Sequence, residues 1–359
     1  MSLQINAAPG RLDLSFPQLL TGGANVMAIE IQIDGKILVA GQFTTRGAVV
    51  RNDMIRINAD GSLDAAFNIG SVADYPRFFR VIKQQPDGKI LIAGYINQIN
   101  GTLVRSLVRL NANGSIDSTF NLSGIDVTFV YDLDIQTDGK ILISASNLIG
   151  SSFITRLKTD GSNDQGIGQP LFNNGSSGYT LTYVPAENKI LVGGRILVRL
   201  NIDGSIDQTF NAVVTNSVYD LLIKTKMLGN GKILIYGKFD SVNQTTRKNI
   251  AILNNDGSLD SSFNPATVGS ENILSVAVQT NGKIIIGGNS FPSNTILRGN
   301  IARLNVDGTA DKTFNEGRGA NGDVNSMIIR NNSKLLIGGT FFSVSYFPAQ
   351  RIGANIFVT

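Results

Sequence analysis

The 359-residue sequence predicts an all-β fold, a β-propeller of seven four-stranded antiparallel blades, from three observations. Seven lysines, Lys36, Lys89, Lys140, Lys189, Lys232, Lys283 and Lys334, recur at intervals of about 43 to 53 residues, the range of propeller blades and other closed repeat arrays. Each precedes a continuous apolar run such as Ile37-Leu38-Val39 or Ile284-Ile285-Ile286, the pattern of a strand buried on both faces. A Gly-Ser-x-Asp-x-x-Phe phrase, or a decayed copy of it, recurs with the same spacing. Because the repeat covers the chain, residues 1–359 read as one domain, although the length alone allows more.

The copy from Asn272 to Asn315 shows the expected elements in order. Ile273 to Gln279 alternates with the period of a strand, and Thr280-Asn281-Gly282 turns the chain into Lys283. Ile284 to Gly288 is the second strand, a variable loop follows over 289–299, and Asn300 to Asn305 is the third. Val306-Asp307-Gly308 then turns into a fourth strand over 309–314. Pairs such as Asp34-Gly35, Asp87-Gly88 and Asp256-Gly257 mark the same turns elsewhere. Glycine supplies the positive φ and aspartate bonds local amides. These loops offer too few ligands for a six- to eight-coordinate calcium ion, so no metal is expected.

The aspartate of the phrase, at Asp64, Asp117, Asp164, Asp207, Asp260 and Asp311, is expected to bond backbone amides, since catalysis needs one site and not seven. The phenylalanines three residues on, Phe67, Phe120, Phe210, Phe263 and Phe314, are expected to seal adjacent blades, each contributing about 1.5–3 kcal/mol. The last copy lacks a fourth strand, whereas Gly10-Arg11-Leu12-Asp13-Leu14-Ser15-Phe16 carries glycine, aspartate and phenylalanine at the phrase's offsets. Residues 10–16 are therefore expected to supply the outer strand of the seventh blade and remove its open edge.

Gln279-Thr280-Asn281-Gly282-Lys283-Ile284-Ile285-Ile286-Gly287-Gly288, followed by Ile301 to Gly308, resembles the delta-60 repeat family of β-propellers, found in bacterial surface or secreted proteins and in phage proteins. The fourth copy departs most, with Asn188 in place of glycine before Lys189, and the third departs at Asn163 and Gly166. The resemblance implies the fold and carries no catalytic motif.

Composition narrows the chemistry. Cysteine and histidine are absent, which removes thiolate nucleophiles, the usual neutral-pH base and the commonest transition-metal ligands. No cofactor is expected. The net charge of +4 is small and its lysines and arginines form no run, so no nucleic-acid partner is expected. No apolar stretch approaches the roughly 18 residues of a membrane span, and the first residues lack the pattern of a cleaved leader.

One face of the disc is expected to be flat, built from Asp-Gly and Asn-Gly turns, while the other carries the variable loops that make recognition sites on rigid scaffolds. Candidate partner-binding residues there are Phe43, Arg46, Tyr95, Asn97, Phe239, Asp240, Phe291, Arg298, Phe342 and Tyr346. A competing reading has Phe43, Phe239 and Phe341 simply capping their sheets. The expected function is a non-catalytic interaction module, a virion structural or host-recognition protein whose partners are other protein subunits and host glycans. The alternatives are a surface or secreted adhesin and, more weakly, a carboxylate-dependent glycosidase using acids such as Asp132, Asp134, Asp220 and Asp323.

Overall fold

The structure, a computed structural model, describes residues 20–358 apart from 21–23, 46–47, 74–77, 168–179, 217–221, 266–271, 290–299, 315–318, 331–333, 342–343 and 346–355. Its described elements are all strands, and no helix among them is long and apolar enough to cross a membrane.

Seven main sheets follow one another along the chain. Sheet one comprises Asn25–Ile31, Ile37–Thr44 and Asn52–Ile57, and sheet two Phe78–Gln84, Ile90–Tyr95 and Leu107–Leu110. Sheet three comprises Phe129–Ile135, Ile141–Ser146 and Ser152–Leu157, and sheet four Thr180–Val184, Lys189–Gly193 and Val198–Asn201. Sheet five holds Leu222–Met227, Ile233–Lys238 and Ile250–Leu253. Sheet six holds Asn272–Val278, Ile284–Asn289 and Ile301–Leu304. Sheet seven holds Val324–Ile329, Leu335–Gly339 and Ile356–Val358. In every one the apolar second strand lies in the middle, paired antiparallel on both sides.

The expected fourth strand is corrected to a single bridge. Six of the sheets add only Ile57 to Leu63, Leu110 to Ile116, Leu157 to Asn163, Leu200 to Ile206, Leu253 to Leu259 and Leu304 to Ala310. The reason is the phrase's aspartate. Asp311, for example, donates its amide to Arg303 O at 2.8 Å, and its own carbonyl then accepts Phe314 N at 3.2 Å. The chain is bent into a turn before a ladder can extend. Residues 10–16, expected to complete the last sheet, lie outside the described residues.

The phrase's aspartate bonds backbone, as expected, and also closes an ion cluster that the sequence reading did not foresee. Asp117 Oδ1 accepts Thr119 N at 3.0 Å and Thr119 Oγ1 at 2.7 Å. Its Oδ2 accepts Lys89 Nζ at 2.8 Å and Arg109 Nε at 2.7 Å. The repeated lysine is thus a clamp on the repeated aspartate, and the same lysine contact recurs at Asp64, Asp164, Asp207, Asp260 and Asp311. Arg56, Arg109, Arg156 and Arg199 also reach the following repeat, as Arg199 Nη1 donates to Asn255 O at 2.7 Å. The arginine guanidinium lies over the phrase's phenylalanine ring, Arg109 being 4.8 Å from the Phe120 centroid. Burial alone would raise the Asp117 pKa, but the hydrogen bonds from Lys89, Thr119 and Arg109 hold it well below the ordinary carboxylate range.

Apolar residues form seven clusters, each shared by two sheets. Phe67 seals sheets one and two and Phe263 sheets five and six, as expected of the phrase's phenylalanines. One cluster joins Leu336 of sheet seven to Val26 and Ile37 of sheet one. The first and last sheets therefore share a core.

Candidate functional site

The first strands form the innermost edge of each sheet, and a bulge in five of them builds the candidate site. Register slips by one residue between Val26 and Ala28, Phe79 and Val81, Val130 and Asp132, Ile273 and Ser275, and Val324 and Ser326. Met27, Arg80, Tyr131, Leu274 and Asn325 are the extra residues. A bulge leaves its residue unpaired and re-aims its side chain. Met27, Arg80, Leu274 and Asn325 line one cavity of about 470 Å³, together with Phe78, Phe79, Tyr95, Phe129 and Lys224.

The glycine that ends the second strand makes this possible. Gly94 faces Phe79 across the bulge with φ of 152°, and a Cβ there would stand 1.9 Å from the Phe78 carbonyl oxygen. At Gly41, Gly288 and Gly339 the corresponding distances to the first-strand carbonyls are 2.0, 2.1 and 1.8 Å. Glycine at this register thus leaves room for the first-strand carbonyl, as Gly237 also does in sheet five, where the register does not shift. Sheet three manages with Ala145 at the same register.

Aromatic side chains form one wall. Tyr95 and Phe129 have ring centroids 6.2 Å apart, and Phe129 and Tyr131 4.7 Å apart. The Arg80 guanidinium lies 5.7 Å from the Phe129 centroid. Lys224 Nζ donates to the Leu274 carbonyl at 2.7 Å. Burial pushes the Lys224 pKa down to about 8, with Asp132 opposing and the Arg80 charge adding to the fall.

Further along the same strands lies a ring of mixed charge, from Glu30, Lys83, Asp132, Asp134 and Lys226. Lys83 Nζ stands 3.6 Å from Asp134. Burial raises Glu30 against the pull of Lys83. Lys83 is itself raised, because the Asp134, Glu30 and Asp132 charges outweigh its burial. Asp132 is pushed up to about 6 by burial, although it accepts the Leu181 amide at 2.9 Å. Glu30, Lys83, Asp132 and Asp134 are part-buried and Lys226 is exposed.

Asp132 and Asp134 have a structural occupation. An innermost strand has a free backbone edge, and side chains of the preceding sheet cover it: Asp134 accepts Tyr183 N at 2.9 Å, Thr180 donates to Ile223 O at 3.1 Å and Ser275 to Val324 O at 2.9 Å. The two acids are members of that belt. Asp220 lies outside the described residues. Asp323 donates its amide to Thr340 Oγ1 at 3.0 Å and stands away from this ring.

Of the sequence-read candidates, the structure brings Tyr95 to the cavity. Phe43 and Phe239 are core residues, 7% and 1% exposed, and Phe341 is buried as well, in keeping with the sheet-capping reading weighed for all three rather than with a binding role. Asn97 and Asp240 belong to ordered hairpins. In sheets two and five the loop after the second strand folds back as Gln98–Ile99 with Thr102–Leu103, and Ser241–Val242 with Thr245–Thr246, and pairs with the incoming connector. Asn97 O accepts Val104 N at 2.8 Å and Asp240 N donates to Thr215 O at 2.8 Å. Arg46, Phe291, Arg298, Phe342 and Tyr346 lie outside the described residues. Arg80, Phe129, Lys224 and the other bulge residues were missed. Their signal was a break in alternation: Val26-Met27-Ala28-Ile29 puts one extra residue before the period of two resumes.

The comparisons agree with this architecture. The family model described as "Domain of unknown function (DUF5122) beta-propeller" matches residues 32–67, 85–120, 187–210, 228–263 and 279–314. No curated protein matches the chain by sequence. A streptogramin B lyase structure is similar over 97% of this chain and 95% of its own, at 14% identity and a TM-score of 0.57. Virginiamycin B lyase from Staphylococcus aureus aligns over 90% of this chain and 95% of its own, at 13% identity and a TM-score of 0.57. The WD40 β-propeller domain of Doa1 aligns over 92% and 94%, at 12% identity and a TM-score of 0.55. At these identities the likeness is one of fold. It nevertheless corrects the expectation of a non-enzyme, because lyases are built on this same architecture.

Proposed function

The chain carries repeats of this β-propeller family from residue 32 to residue 314, and from that premise we propose a closed seven-bladed propeller that binds a ligand in the cavity at the mouth of its axis. The closed ring is supported by the core that sheets one and seven share. On this reading residues 10–16 supply the outer strand of the last blade. Residues 1–359 then form one domain.

The observation that carries the binding role is the convergence of four bulge residues from four sheets on one cavity. Ladder hydrogen bonds are given up to aim them there, and the rest of the repeat keeps its pairing. A histidine-to-alanine form of the S. aureus virginiamycin B lyase is catalytically inactive, and this chain has no histidine, so its chemistry is not that of this lyase. The setting carried with this reading is the one the family resemblance implies, a virion or cell-surface protein; mass spectrometry of purified particles and of surface fractions checks it.

A fragment screen by ligand-observed NMR tests the site. Hits on the native protein should disappear in a Met27→Trp, Leu274→Trp double variant that fills the cavity. Hits that persist unchanged in the filled variant, or no hits at all, overturn the assignment.

A further inference from the structure

Resting on that reading of the cavity, we propose that its occupant is a compact organic acid, a flat apolar ring bearing a carboxylate, with the carboxylate held between Arg80 and Lys224 and the ring against Phe129 and Tyr95.

The cations supply the first argument. Among the described residues no hydrogen bond or ion pair to the Arg80 guanidinium is present; its contact is the Phe129 ring, 5.7 Å away at the centroid. The five donors of this exposed guanidinium are therefore uncommitted to any protein acceptor and can take a ligand at the cavity. Lys224 spends one of its three donors on the Leu274 carbonyl, at 2.7 Å, and keeps two. The groups facing Lys224 are Arg80 from sheet two, Asp132 from sheet three and Tyr236 beside it in sheet five. Asp132 attracts Lys224 electrostatically, but its two oxygens already accept the Leu133 and Leu181 amides, each at 2.9 Å, and among the described residues it makes no ion pair with either cation. Two like charges at one cavity repel, and an anion between them converts that repulsion into two charge-assisted bonds.

The wall supplies the second. Tyr95, Phe129 and the half-exposed Phe78, together with Met27 and Leu274, make most of the remaining lining apolar and flat. A planar ligand stacks there, while a hydrated inorganic ion leaves those surfaces unused. A planar carboxylate also matches the guanidinium fork, which takes it through two parallel bonds.

Calorimetric titration with naphthoate, its sulfonate analogue and the neutral naphthylmethanol tests this. Naphthoate should bind at millimolar concentration or below, and the neutral analogue about tenfold more weakly. Arg80→Ala, at an exposed position, and Lys224→Met should each weaken naphthoate by about tenfold and leave naphthylmethanol unchanged. Lys226→Met, outside the cavity lining, should change neither. Naphthoate affinity should also fall as pH rises through about 8, where Lys224 loses its proton. Equal binding of acid and alcohol, abolished in the filled variant, overturns the acid and keeps the cavity as a site. Tighter binding of the sulfonate than the carboxylate overturns the planar fork, and no binding of naphthoate overturns the inference outright.

Discussion

Asn325 Nδ2 donates to Asn25 Oδ1 at 3.1 Å, a bond between side chains 300 residues apart in sequence. The same Nδ2 reaches the Val26 carbonyl at 3.3 Å. The bulge in sheet seven therefore does two things: it lines the cavity and holds the first sheet. Asn325→Leu leaves both acceptors without this donor and should cost about 1–3 kcal/mol. Urea denaturation checks it, and a variant as stable as the native protein would show the seam to be held by the apolar core alone.

Removing residues 1–16 tests the proposed outer strand of the last blade. On that proposal, loss of the strand exposes the edge of sheet seven. The expected result is a Tm lower by about 5–10 °C and concentration-dependent association in sedimentation. An unchanged Tm with a monomeric profile would count against closure by this segment.

Gly94→Ala should be far worse than Gly88→Ala. At Gly88, φ is 84° and no atom stands within 4 Å of an added Cβ, so the cost is the left-handed backbone alone, about 1–2 kcal/mol. At Gly94 the Cβ collides with the Phe78 carbonyl at 1.9 Å and the bulge must open. We expect a loss of about 3 kcal/mol or more, with weaker ligand binding as Arg80 moves. Equal costs would refute the packing role of this glycine.

Acid stability should be set by the phrase's aspartates. Asp64, Asp117, Asp164, Asp207, Asp260 and Asp311 all have lowered pKa values, burial being outweighed by lysine, arginine and hydroxyl or amide donors. A folded pKa below the unfolded one gives stability that is present above the unfolded value, near 4, and lost as pH falls. Asp132 acts oppositely: its folded pKa, about 6, exceeds its ordinary value of 3.8, so stability declines as pH rises between the two. Thermal melts from pH 3 to 8 should show a steep acid limb in both proteins, whereas Asp132→Asn should flatten the profile between about 4 and 6. A native profile already flat there would remove the buried-acid assignment.

The repeat was legible because its determinants are local. Lysine spacing, apolar runs such as Ile284-Ile285-Ile286 and the turn glycines fix strands and turns through contacts a few residues apart. The aspartate's bonding to backbone and the inter-blade place of Phe67 were legible for the same reason. Its truncation of the fourth strand was not, because the turn it nucleates competes with a ladder whose outcome depends on both. Phe43 and Phe239 were left between two readings because an aromatic after a buried strand has the same local signature whether it points out over the face or inward into the core.

By itself, the sequence determined an all-β repeat with this blade grammar and a face of variable loops. The tertiary structure decided where the chemistry gathers. Met27, Arg80, Lys224, Leu274 and Asn325 are spread over 299 residues and share no motif. Only the packing of first strands side by side, with bulges re-aiming Met27, Arg80, Leu274 and Asn325 beside Lys224 of an unbulged strand, makes them neighbours.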